Sequence, residues 1–189
     1  MSTFMMVSGI CILGLIASVF RFAAKDAAEQ SQETTIDPEK RLKELGIELQ
    51  TPAAPVANFV RAVRVGNLVF LSGHGPRKID GSYIIGKVGR EVSIEQGREA
   101  ARLTAINLLA SLKAEIGDLN GVQRVVKVLG MVNAGDSFAE HPQVINGFSD
   151  FMVSVFGERG KHARSAVGMA SLPFGMTVEI EMIVEVKAP

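Results

Sequence analysis

The carboxy-terminal segment constrains the fold most. Val178, Ile180, Met182, Val184 and Val186 alternate there with Glu179, Glu181, Ile183 and Glu185. A period of two belongs to an extended strand, whose successive side chains point to opposite faces. One parity is apolar and the other mostly acidic, so the strand is covered by protein on one side only. The chain must therefore build a sheet with one packed face, and other elements must supply the cover.

Two helices are available for this. Ser93 and Gln96 have capping-box spacing at the start of a helix that runs to about Ile116, where Gly117 stops it. Ile94, Ala101, Ala105, Leu108, Leu109, Leu112 and Ile116 recur along it at helical spacing. A second amphipathic helix is expected over 142–156, followed by Gly157. Strands are expected at 59–65 and 67–72, a hairpin about Gly66, and at 122–132, 163–170 and 178–186, with a weaker one near 83–85. The order β-β-(β)-α-β-α-β-β predicts an α+β domain in which both helices pack on one face of a single sheet. The other face is left bare, and oligomer formation is the natural way to cover it.

The front of the chain is different. From Met1 to Phe20 there is no charged side chain, and twenty helical residues match a hydrocarbon core of roughly 30 Å. Residues 1–24 read first as an uncleaved membrane anchor. The alternatives are a removed targeting segment, which usually has the basic start missing here, and a buried helix. Arg21 and Lys25 follow the run and nothing basic precedes it, which places the rest of the chain on the cytoplasmic or mitochondrial-matrix side. Residues 25–54 read as a polar spacer with a short helix: Asp37 as N-cap, Pro38 in the first turn, Gly46 as stop. Residues 55–189 form the expected domain.

Several chemistries are excluded or disfavoured. Lys+Arg and Asp+Glu are 20 each, and a neutral chain lacks the clustered cations that bind nucleic acid by neutralising phosphates. The single cysteine, Cys11, lies in the apolar run, so neither an intramolecular disulfide nor a thiol nucleophile is available to the domain. His74, His141 and His162 have no ligand-like spacing, which argues against zinc.

Four segments in order carry a more specific signal. They are Val65-Gly-Asn-Leu-Val-Phe-Leu-Ser-Gly73; the strand at 125–133; Val144-Ile-Asn146; and Ala163-Arg-Ser-Ala-Val167 followed by Leu172-Pro173 and Val178-Glu-Ile-Glu181. Together they make the stretch of about 55–186 resemble the RidA-like proteins, the YjgF group formerly labelled L-PSP endoribonucleases. The resemblance implies a homotrimer of chorismate-mutase-like subunits with clefts between neighbouring chains. It also implies hydrolysis of reactive 2-imino acids and enamines, such as 2-aminoacrylate and 2-iminobutyrate, to 2-oxo acids and ammonia, without metal or organic cofactor.

Carried over residue by residue, the resemblance makes Arg164 the carboxylate-binding cation, a task for which a planar guanidinium suits better than an ammonium. Glu179 becomes the group that activates water and handles protons. Ser72, Gly73, Ala166 and Asn146 match substrate-binding positions, Asn146 from an adjacent subunit, and Phe59 stands where many active members have tyrosine. Ala166 replaces a common cysteine, and His74 a glutamine. Each has a plainer reading. Arg164 could be an exposed ion-pair residue, Glu179 part of a solvated acidic stripe, and Ser72 and Asn146 turn or cap residues. His74 could simply satisfy a loop hydrogen bond. Besides the deaminase, two other readings stand: a non-catalytic carboxylate-binding or accessory subunit of a membrane complex, and the ribonuclease of the old label.

Overall fold

The computed structural model describes residues 36–55 and 57–188. The expected anchor at 1–24 and most of the spacer lie outside the described residues. Among the described residues no helix is long and apolar enough to cross a membrane.

Helix α1 (Pro38–Glu44) begins as the sequence indicates, with Asp37 accepting from the Lys40 N–H at 3.0 Å. It is built into the domain rather than into a spacer. Leu42 is buried in the core, and Glu39 accepts from Lys113 Nζ at 2.6 Å and from the Leu119 N–H at 3.2 Å. The compact unit accordingly runs from Ile36.

Strands β1 (Ala62–Val65) and β2 (Leu68–His74) form the hairpin. Gly66 takes φ +62° at the first loop position, where a two-residue hairpin turn favours glycine. The expected strand from Phe59 is shortened, because the β1–β2 ladder stops at Ala62 and Leu71. The Ser72 N–H still bonds the Arg61 carbonyl at 3.0 Å, but 59–61 are left outside the strand, beside the stretch where β2 shifts register against β5 between Leu71 and His74. No sheet strand forms at 83–85. Tyr83 and Ile85 make isolated bridges to Arg77 and Met176 in a loop across the sheet end.

Helix α2 (Ile94–Ile116) starts at the expected capping box, with both reciprocal bonds between Ser93 and Gln96 present. Strand β3 (Val122–Asn133), helix α3 (His141–Phe156), strand β4 (Ala163–Met169) and strand β5 (Val178–Val186) complete the domain. The sheet order is β1-β2-β5-β3-β4, antiparallel except for β3 and β4, which are parallel across the α3 connection.

The alternation in β5 is the architecture in miniature. Val178, Ile180, Met182, Val184 and Val186 are buried with Val125, Val128 and Val132 of β3 beneath Leu108, Leu112, Val144, Phe148 and Met152 of the two helices. Both helices cover this one face. The opposite face exposes Val63, Val65, Phe70 and Val167, an unusual concentration of apolar side chains for a solvated sheet surface.

Candidate active site

The expected site residues fall into two groups, separated by the pleat of the sheet. Arg164 pairs in register with Val128, whose side chain is buried under the helices, so the guanidinium lies on the helix-covered side at the β4 edge. Its Nη1 donates to Asn146 Oδ1 at 3.0 Å and to Ser149 Oγ at 2.9 Å, both on α3. Asn146, expected from a neighbouring subunit, therefore reaches Arg164 within one chain. Arg164 has no carboxylate partner among the described residues, so it is not a surface ion-pair residue. Both of its bonds use Nη1. The Nε–Nη2 edge, the fork that accepts a carboxylate side-on, makes no hydrogen bond to any described residue. Ala166, two residues on, follows on the same side and packs against the core.

The second group lies on the open face. Glu179, near the start of β5, pairs with Met131, an odd number of residues from Val128, and so points the opposite way. Its carboxylate rests over Gly73. A methyl added there would collide with Glu179 Oε1, so glycine is what lets this side chain lie down. Burial is the main cause raising the Glu179 pKa above the ordinary glutamate value, and the nearby Glu181 charge adds to it. A carboxyl shifted in that direction is better matched to taking and returning a proton near neutral pH. Ser72 stands beside it, its hydroxyl bonded to the Arg61 carbonyl at 3.3 Å. Phe59 precedes β1 and is exposed.

With β3 between β4 and β5, and three residues of offset along the strands, Arg164 and Glu179 are roughly 14 Å apart at Cα and on opposite faces. One chain does not assemble them into one site. A concavity of about 510 Å³ on the open face is lined by Phe70, Ser72, Lys127, Leu129, Ser165 and Glu181 among others, and adjoins the Glu179 group. A second groove, about 440 Å³ on the outer helix surface, contains none of the expected residues.

Two residues that bear on Arg164 escape the sequence reading. Ser149 lies three residues after Asn146, on the same helix face. His162 lies two before Arg164, and its Nε2 is 3.0 Å from Ser149 Oγ. The i, i+3 and i, i+2 spacings were visible, but nothing in them names the partner. His74, by contrast, has the plain role. It is buried, with Nδ1 2.7 Å from the Ser72 carbonyl and Nε2 2.7 Å from Ser111 Oγ.

Residues 39–186 match the family model described as “YjgF/chorismate_mutase-like, putative endoribonuclease”. The chain belongs to the YjgF family. The RidA-like resemblance and the α+β fold with its mixed sheet stand on this match. Among its relatives, Protein TCP17 of Trypanosoma cruzi is 43% identical over 145 residues, covering 76% of this chain and 91% of that one. The 2-iminobutanoate/2-iminopropanoate deaminase of Dermatophagoides farinae is 30% identical over 142 residues, covering 74% of this chain and 95% of that one. The crystal structure of the protein Atu1372 from Agrobacterium tumefaciens superposes with a TM-score of 0.73 at 45% identity, covering 79% of this chain and 94% of that one. The family match spans both groups of site residues, so each sits in the family frame.

Proposed function

We propose that this YjgF-family chain hydrolyses small 2-imino acids, and their enamine tautomers, to 2-oxo acids and ammonia, at sites formed where copies of the chain meet. The observation that carries the reading is the state of Arg164. Its guanidinium is held by two neutral oxygens on one nitrogen, and its charge and its Nε–Nη2 fork are left for an anion. A 2-imino acid presents a carboxylate next to its electrophilic carbon, so a clamp on the first fixes the position of the second.

Glu179 does the proton work. It orients a water and takes its proton as the oxygen bonds to the carbon of the protonated imine, giving a neutral carbinolamine. It then returns that proton to nitrogen. As the C–N bond breaks it takes the hydroxyl proton, so the carbonyl forms, and it passes this proton to the departing ammonia, which leaves as ammonium. The raised pKa of Glu179 supports both the acceptance and the return. The two groups lie on opposite faces of one sheet, so a second copy must bring its Glu179 to the first copy's Arg164. The exposed apolar sheet face supports such an assembly, a homotrimer in this reading. The relative named as a 2-iminobutanoate/2-iminopropanoate deaminase supports the substrate class.

The uncharged run from Met1 to Phe20 extends the proposal: the domain works tethered to a membrane. Retention in the membrane fraction through alkaline extraction is the expected behaviour, and release would remove the tether from the account. For the activity itself, the full chain is added to freshly generated 2-aminoacrylate. Faster release of pyruvate than in buffer is expected, together with its loss in Arg164→Ala. No acceleration by the native chain would overturn the enzymatic reading and return the site to carboxylate binding alone.

A further inference from the structure

The Arg164 guanidinium is fixed by a chain of hydrogen bonds that extends past its direct partners. His162 Nδ1 is 2.7 Å from the Gly160 carbonyl oxygen. A carbonyl can only accept, so Nδ1 carries the ring proton. In the neutral ring Nε2 is then a bare acceptor, and it lies 3.0 Å from Ser149 Oγ. The Ser149 hydroxyl proton therefore points at the histidine, and its lone pairs are left facing Arg164 Nη1 at 2.9 Å. Asn146 Oδ1 takes a second bond from the same nitrogen at 3.0 Å. The histidine ring is itself packed edge-on against Phe148, with centroids 5.7 Å apart and planes at 78°. Its position is thus set by core packing rather than by solvent.

The consequence is directional. A serine hydroxyl left alone rotates freely and spends part of its time with its proton toward the guanidinium, where it cannot accept. His162 removes that freedom. With two oriented acceptors on Nη1, the guanidinium plane is set and its Nε–Nη2 edge is left without a partner among the described residues.

We propose that Ser149 and His162 are positioning residues: they hold Arg164 in the orientation that receives the substrate carboxylate. The inference rests on the reading of Arg164 as the carboxylate clamp. Neither residue touches substrate, so their removal weakens binding in the ground and transition states alike, which raises KM and spares kcat.

The test uses the full chain with 2-iminopropanoate generated in the assay. Loss of a hydrogen bond to a charged group costs on the order of tenfold in affinity. Ser149→Ala is therefore expected to raise KM about tenfold while changing kcat far less, and Ser149→Thr, which keeps the hydroxyl, to restore KM. His162→Phe keeps the ring packing but removes the acceptor, and is expected to raise KM severalfold. An unchanged KM in Ser149→Ala, when Arg164→Ala abolishes turnover, would overturn the positioning role and leave the deaminase reading intact. A native chain without activity would sink the deaminase reading instead, and a second measurement then decides the relay. Nitrogen NMR of histidine-labelled native chain should show His162 as the Nδ1–H tautomer, with its Nε2 signal moved in Ser149→Ala. The Nε2–H tautomer, or a signal indifferent to that substitution, would refute it.

Discussion

Acidification should weaken the fold through His74 by an amount that the structure sets. The ring is buried beneath α2, donates from Nδ1 to the Ser72 carbonyl, and accepts at Nε2 from the Ser111 hydroxyl. Burial, helped by the Arg61 charge and partly offset by the Ser72 bond, lowers its pKa from the ordinary 6.5 to about 4. The sign follows from which state takes the proton first. As pH falls through 6.5 the unfolded chain is protonated and the folded chain is not, so stability is full above that pH and declines toward pH 4. Between pH 8 and pH 5 this one group costs about 2 kcal/mol, a large share of an ordinary domain's total. His162, also lowered by burial, adds to the loss in the same direction.

The isolating comparison is native chain against His74→Gln, unfolded by denaturant at each pH, so that carboxylate and His162 titrations cancel. The stability gap between them should shrink by about 2 kcal/mol from pH 8 to pH 5. Parallel pH profiles would refute the reasoning, as would a His74 proton-NMR signal that titrates near 6.5.

Two further substitutions probe local claims. Gly73→Ala should leave the sheet folded yet displace the Glu179 carboxylate and remove most hydrolytic activity; circular dichroism with an imine assay checks both, and full activity would show that the close approach is dispensable. Ser93→Ala removes one of the two capping-box bonds of α2 and should cost about 1 kcal/mol by denaturant unfolding, with no change in activity.

The fold was legible wherever a period or a cap carries the information. The β5 alternation and the Ser93–Gln96 box are local, and each encodes its element without help from distant sequence. Phe59 and Tyr83 were misplaced for the opposite reason. Whether a β-prone run becomes a strand depends on a partner, and the pairing with β2 stops at Ala62, short of Phe59, while 83–85 makes only isolated bridges. The site shows the same division. Motif order singled out Arg164 and Glu179 as candidates, but their placement on opposite faces is a matter of register against β3, through Val128 and Met131, and a lone sequence does not display register. The approach of Glu179 to Gly73 also joins segments over a hundred residues apart. Ser149 and His162 could have been found by asking which polar side chains share a face with Asn146 and Arg164.

The central claim is that Arg164 of one copy and Glu179 of its neighbour serve a single cleft, and subunit complementation tests it most directly. Arg164→Ala and Glu179→Gln chains, each inactive alone, are unfolded together in equal amounts and allowed to reassemble. In randomly mixed rings roughly a quarter of the interfaces join an intact Arg164 to an intact Glu179, and about that share of native activity should return. A site housed within one chain would carry a lesion in every copy, so a mixture that reassembles yet stays inactive would contradict the account.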